Sequence, residues 1–143
     1  MLSTSCKYAL RAMVLLMSKA TEGSKMGIIE IAKAIDANEH TTAKILQLLA
    51  REGFIHSVKG PKGGFYMQPD AATIYLIDIV KLIDGVHFFF ECGLGLKECS
   101  ETKPCPIHNS YKGARELLHR EFSTISIQQL SKDISLGKAY LHR

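Results

Sequence analysis

Hydrophobic residues recur with a helical period along most of the chain, and one short stretch follows a strand period instead. Ser3, Thr4 and Ser5 supply capping hydroxyls, after which Tyr8, Ala12, Leu15, Leu16 and Lys19 follow helical spacing with Lys7 and Arg11 on the other side. The polar stretch 21–25 ends this first helix. Ile28, Ile31, Ala32 and Ile35 stand at i, i+3, i+4 and i+7, the mark of a second helix with one buried stripe. Residues 36–38 break it, and Asn38 is placed to cap a third helix carrying Thr42, Ile45, Leu46 and Leu49 and stopped by Gly53. Residues 54–58 and 65–67 read as strands around a turn at 60–64 that holds glycine, proline and lysine, which together predict a hairpin with a basic tip. A fourth helix is expected to open at Thr73, to face Leu76, Ile79, Val80 and Ile83 inward, and to close at Asp84-Gly85.

The remainder is of two kinds. Residues 86–106 carry glycine, proline and cysteine and show no clean period. Beyond them Ile107, Tyr111, Ala114, Leu118, Phe122 and Ile125 are spaced 4, 3, 4, 4 and 3 apart, a seam suited to packing against another helix. A short helix after Ser126 is expected to tuck Ile127 and Leu130 back onto the body. The order helix, helix, helix, hairpin predicts a mainly α fold. It is a winged helix-turn-helix with a two-stranded wing and a long C-terminal dimerisation helix. The expected organisation is a DNA-binding domain over 1–85, a cysteine-bearing loop over 86–106, and the dimerisation helix and tail over 107–143.

In that fold the second helix of the pair lies in the major groove. Its exposed face carries Glu39, His40, Thr41, Ala43, Lys44 and Gln47, and Thr, Gln and Lys bond base edges or phosphates. At the wing tip Lys59 and Lys62 supply charge, while Gly63 and Gly64 allow close approach to a phosphate. A nucleotide-binding phosphate loop is a poor fit, because no helix follows these glycines directly. The expected DNA contacts are therefore His40, Thr41, Lys44, Gln47, Lys59, Lys62, Gly63 and Gly64.

Composition changes this picture little. The chain has 143 residues, 46% hydrophobic and 22% charged, enough to build a globular core. The net charge of +4 suits a nucleic-acid binder and many enzymes alike. No apolar run is long enough to cross a bilayer or to serve as a signal peptide, so a cytoplasmic location is expected. His56, His87, His119 and His142 are scattered, and no catalytic constellation surrounds them.

The cysteines add candidate chemistry. Cys92, Cys99, Cys105 and His108 form a C-x6-C-x5-C-x2-H pattern. In a cytosolic protein such a set points to metal or redox chemistry, and thiolates select iron–sulfur clusters or zinc. Zinc sites usually use tighter pairs of cysteines. Cys6 lies apart in the first helix, where a lone cysteine is more often a packed small residue.

Taken together, these motifs resemble the Rrf2 family of bacterial repressors, of the IscR- and NsrR-like iron–sulfur type, over almost the full chain. The resemblance rests on Lys7-Tyr8-Ala9-Leu10-Arg11-Ala12, Ile31-Ala32, Lys44-Ile45-Leu46-Gln47-Leu48-Leu49, Gly60-Pro61-Lys62-Gly63-Gly64-Phe65 and the three-cysteine loop. It implies a homodimer built on the long helix and a palindromic double-stranded DNA operator. It also implies a [2Fe-2S] or [4Fe-4S] cluster on Cys92, Cys99 and Cys105 whose state decides DNA affinity. Some relatives take a fourth ligand from a carboxylate just before the Tyr-Ala-Leu motif. Here Lys7 stands there and does not ligate while protonated. His108 is the favoured fourth ligand and Cys6 of a partner chain the second choice. The alternative is a regulator without a cluster, using the cysteines for zinc or thiol sensing.

Overall fold

The computed structural model describes residues 1–142. Six helices and one hairpin are described: α1 Thr4–Ser18, α2 Ile28–Ala34, α3 Glu39–Arg51, β1 His56–Val58, β2 Gly64–Tyr66, α4 Leu76–Ile83, α5 His108–Thr124 and α6 Ile127–Ser135. The capping chemistry falls where the hydroxyls and amides stand. Ser3 accepts from the Cys6 N–H to start α1, and Asn38 accepts from the Thr41 N–H at 3.0 Å to start α3.

One core joins the helices around α1. Met13, Leu16, Ile31, Ile35, Leu46, Leu49, Ile55, Ile79 and Ile127 are all but sealed from solvent. Removing a comparable buried side chain costs about 2–5 kcal/mol. The helix pair is thus clamped from below by apolar contacts, which leaves its polar face rigidly presented.

The wing is antiparallel, with His56 opposite Tyr66, Ser57 opposite Phe65 and Val58 opposite Gly64. A third piece, unforeseen in the sequence, extends it. Met26 exchanges both backbone hydrogen bonds with Phe65, at 3.0 and 2.8 Å, and ties the hairpin to the body. The fourth helix begins three residues later than Thr73, at Leu76. The preceding residues are held extended by a distant segment. Ile127 N–H donates to the Ile74 carbonyl at 2.7 Å, Leu76 N–H donates to the Ile125 carbonyl at 3.1 Å, and the Gln128 amide bonds Ile74 and Ala72. Asp78 then caps α4 by accepting from the Tyr75 N–H at 2.8 Å.

As expected, α6 folds back, and it packs along α1 with Ile127 wholly buried. The α5 seam is split rather than uniform. Tyr111 and Phe122 turn toward the preceding loop: Tyr111 closes over Gly93, and Phe122 meets Phe89 edge-on at 5.9 Å between ring centres. Ile107, Leu117 and Leu118 stay open to solvent, with Leu117 50% exposed. The aperiodic loop supplies an apolar surface that no spacing rule announces.

Candidate functional site

Two sites emerge on opposite supports. On the first, His40, Lys44 and Gln47 stand at i, i+4 and i+7 and line the exposed face of α3, with half-buried Thr41 beside them. Thr42, one residue on, is buried in the core, which fixes the rotation of the helix. Lys59 and Lys62 are exposed at the wing, and neither they nor Lys44 form an ion pair among the described residues. Free cations on a rigid face suit phosphate contact.

The two wing glycines have a reason inside the chain. A Cβ on Gly63 would lie 2.0 Å from the Val58 carbonyl oxygen, and one on Gly64 would lie 2.7 Å from the Met26 carbonyl oxygen. Gly64 also has φ +143°. Their small size lets Val58 and Met26 approach the hairpin backbone closely, whatever part the two glycines play at a phosphate. A groove of about 460 Å³ runs between α3 and the wing, lined by Gln47, Arg51, Lys59 and Phe65 among others. Arg51 was not singled out from the sequence, since a cation in the last turn of a helix also serves the helix dipole.

On the second support, the cysteine loop folds over the start of α5. Cys92 and Cys105 face each other with sulfurs 3.6 Å apart, and the Cys99 sulfur lies 3.3 Å from His108 Nδ1. All four cysteines are free thiols. The loop residues are brought together from three places: a short turn after α4, the tight loop at Gly95, and the first turn of α5, where His108 is buried. Backbone N–H groups of Leu94 and Leu96, with help from Cys105 and Gly95, hold the Cys92 thiol below its ordinary pKa. Lys112 clasps Glu101 across the loop, which holds the Glu101 carboxyl below and the Lys112 ammonium above their usual ranges.

Arg115 is the piece sequence reasoning missed. It is only 8% exposed, donates from Nη1 to the Glu91 carbonyl and from Nη2 to the Cys99 sulfur at 3.5 Å. A lone arginine among the polar residues of a helix reads as a solvent-facing charge, so no pattern marks it.

Cys6 lies elsewhere. It is fully buried with Ile77, Val80 and Phe89, and its thiol is pushed up to about 12 by desolvation and by the nearby Asp84 carboxylate. Asp84 itself caps the chain start, accepting from the Ser3 N–H at 2.8 Å and from its hydroxyl. A sealed thiol facing an anion is a poor ligand for a centre on another chain. The carboxylate-ligand position Lys7 is exposed on α1.

An exposed polar helix face seated on an apolar core, a basic wing beside it and an extended residue before α2 that pairs with the wing mark the class as a winged-helix regulator. The family model of the Rrf2 iron-dependent transcriptional regulators matches residues 2–133, and the chain belongs to that family. A protein of Aquifex aeolicus named as an HTH-type transcriptional regulator is 31% identical over 132 residues, covering 90% of this chain and 89% of its own. The regulator NsrR of Geobacillus kaustophilus is 27% identical, covering 92% and 90%. Among solved structures, CymR of B. subtilis, described as its global cysteine regulator, superposes with a TM-score of 0.71 at 22% identity, covering 92% and 96%. IscR of T. potens superposes with a TM-score of 0.70 at 19% identity, covering 97% and 91%. These likenesses carry the mainly helical winged fold. Family membership carries DNA-binding transcriptional regulation. No helix among the described residues is long and apolar enough to cross a membrane.

Proposed function

We propose that this regulator is a homodimeric repressor whose affinity for a palindromic operator is set by a [2Fe-2S] cluster on Cys92, Cys99, Cys105 and His108. The observation that carries this reading is the division of the four side chains into two close pairs. Two thiolates on one tetrahedral metal, each ~2.3 Å from it, stand about 3.8 Å apart. The 3.6 Å between Cys92 and Cys105 fits that spacing, and so does the 3.3 Å between Cys99 and His108 once the shorter metal–nitrogen bond is counted. A [4Fe-4S] cluster takes one protein ligand on each iron and would hold the sulfurs further apart. A single zinc needs all its ligands around one point. Among the described residues no three of His, Cys, Asp or Glu converge so.

A bound cluster would supply reversible one-electron chemistry and sensitivity to oxidants, nitric oxide or iron supply. The chain's own residues do the rest. His108 fixes the first turn of α5 to the loop. Ile107, Leu117 and Leu118 offer the partner-facing stripe of that helix. Loop and stripe share α5, so a change in the loop alters the spacing of the two recognition helices. His40, Thr41, Lys44 and Gln47 read the major groove, while Lys59 and Lys62, on a wing shaped by Gly63 and Gly64, hold the backbone.

Anaerobic reconstitution tests the cluster. About two irons and two sulfides per chain, with a visible absorption, are expected. Zinc without sulfide, or a colourless protein, overturns it. Leu118→Glu tests the dimer, with a fall to monomer in sedimentation expected and an unchanged mass overturning the assignment of that stripe.

The Cys92 and Cys105 spacing also favours a second reading, a thiol sensor. Two thiols that close pass two electrons and two protons to an oxidant such as hydrogen peroxide and form a disulfide without large backbone motion. Mass spectrometry of oxidised, metal-free protein decides it: loss of two hydrogens across that pair with a change in DNA affinity supports the sensor.

A further inference from the structure

Arg115 is a buried cation with no carboxylate to answer it. Its guanidinium makes two polar contacts, to the neutral carbonyl of Glu91 and to the Cys99 sulfur, and it lies 5.6 Å from the Tyr111 ring centre. Its Nε is buried without any hydrogen-bond partner, and no ion pair to it is found among the described residues. Arginine stays protonated in proteins, so this charge cannot be relieved by losing a proton. A charge taken out of water is costly unless an opposite charge or a full set of hydrogen bonds meets it. Three neutral thiols would leave the debt open.

We infer that Arg115 is the counter-charge of an anionic metal–thiolate centre, donating an N–H···S bond to Cys99 and holding the loop in its metal-bound shape. This rests on the cluster reading above. An oxidised two-iron cluster with three thiolates and a neutral imidazole carries a charge of about −1, and about −2 after taking up one electron. A fixed positive charge at Cys99 therefore favours the reduced form over the oxidised one, because attraction to it grows with each added electron. Arg115 is thus a positioning and tuning residue rather than a ligand. It also strings three parts of the molecule together: Glu91 at the entry of the loop, Cys99 at its middle, and α5, on which the exposed stripe rides. Lys112, one turn earlier on α5, is engaged by Glu101 and Glu116 at the surface, and Lys97 and Lys103 of the loop are exposed, so Arg115 is the buried cation beside Cys99.

The experiment compares wild type with Arg115→Met, with Arg115→Gln, which keeps a donor toward the Glu91 carbonyl, and with Arg115→Lys, which keeps the charge. Melting is measured with and without the reconstituted cluster, and the reduction potential by anaerobic dye titration. The apo forms of the two neutral variants are expected to melt at or above apo wild type, because a buried unpaired cation has been removed. Their gain in melting temperature on loading should be smaller, their iron should be lost several-fold faster to a chelator, and their potential should shift negative. Arg115→Lys should recover most of the shift. Equal potentials in wild type and the neutral variants would overturn the inference. So would a fall in apo melting as large as the fall in the loaded form, which marks a structural role only. If Arg115→Met does not fold, Arg115→Gln and the Lys rescue decide. Absence of iron and sulfide from wild type itself instead overturns the cluster reading, and the apo melting comparison still judges Arg115 on its own.

Discussion

The DNA-facing half and the cysteine loop solve opposite problems. Under α3 and the wing lies a closed apolar core, and the charged side chains above it are free. In the loop beyond Phe89 there is little apolar burial, and the polar groups are engaged: Cys92 with Cys105, Cys99 with His108 and Arg115, Glu101 with Lys112. The first half takes its shape from that core. The second takes its shape from a few directional contacts, several of them to atoms that a metal would claim. Apolar packing dominates one region and directional polar contacts the other.

Substitutions can break this division in order of size. Cys99→Ala should abolish cluster loading, read as loss of iron and sulfide, while apo melting stays close to wild type. A large drop in apo melting would show that the loop supports the fold. Gly64→Val should destabilise the apo protein by about 1–3 kcal/mol in urea melts, because a side chain there meets the Met26 carbonyl at a strained φ. Cluster content per folded chain should not change. Lys62→Ala should weaken binding to every DNA sequence by a similar factor and lower the salt slope by about one, with cluster content intact. A sequence-selective loss would sharpen its role into base reading.

The smallest expected effect is on acid stability. Lys112 holds the Glu101 carboxyl below its ordinary pKa in the folded state. A group depressed on folding stabilises above its unfolded pKa and loses that contribution as pH falls through the folded value. Wild type and Glu101→Gln should therefore differ slightly above about pH 4.5, and the difference should close below it. The carboxylate is exposed and the ammonium partly so, so salt should shrink it as well.

Much of this was legible beforehand, for identifiable reasons. The stripes of Ile28, Ile31 and Ile35 and of Ile45, Leu46 and Leu49 are strong periodic signals, and both helices formed where the spacing put them. The cysteine spacing drew attention to four side chains, which the fold brings into two close pairs. Met26 was invisible because one paired residue has no period. The start of α4 was misplaced because residues 74 and 75 answer to 125–127, some fifty positions away in the chain. Tyr111 and Phe122 matched a helical seam, yet they serve the loop, because the surface that receives them is itself aperiodic. Arg115 went unread since burial of a charge is decided by tertiary contacts.

The packing of α6 along α1 bears on how the protein is made. These helices join residues 4–18 to residues 127–135, and they form the most extensive helix pair in the molecule. Pairings so distant in sequence form late, after the intervening chain has been gathered. The first helix therefore emerges from the ribosome long before its main partner exists, and the α1 groove waits while the reading helix, wing and cysteine loop are synthesised. A chain halted after α5 would carry every residue proposed above to contact DNA or hold a metal and still lack a wall of its core. The fold of the winged region therefore draws on a helix that follows both candidate sites in the chain.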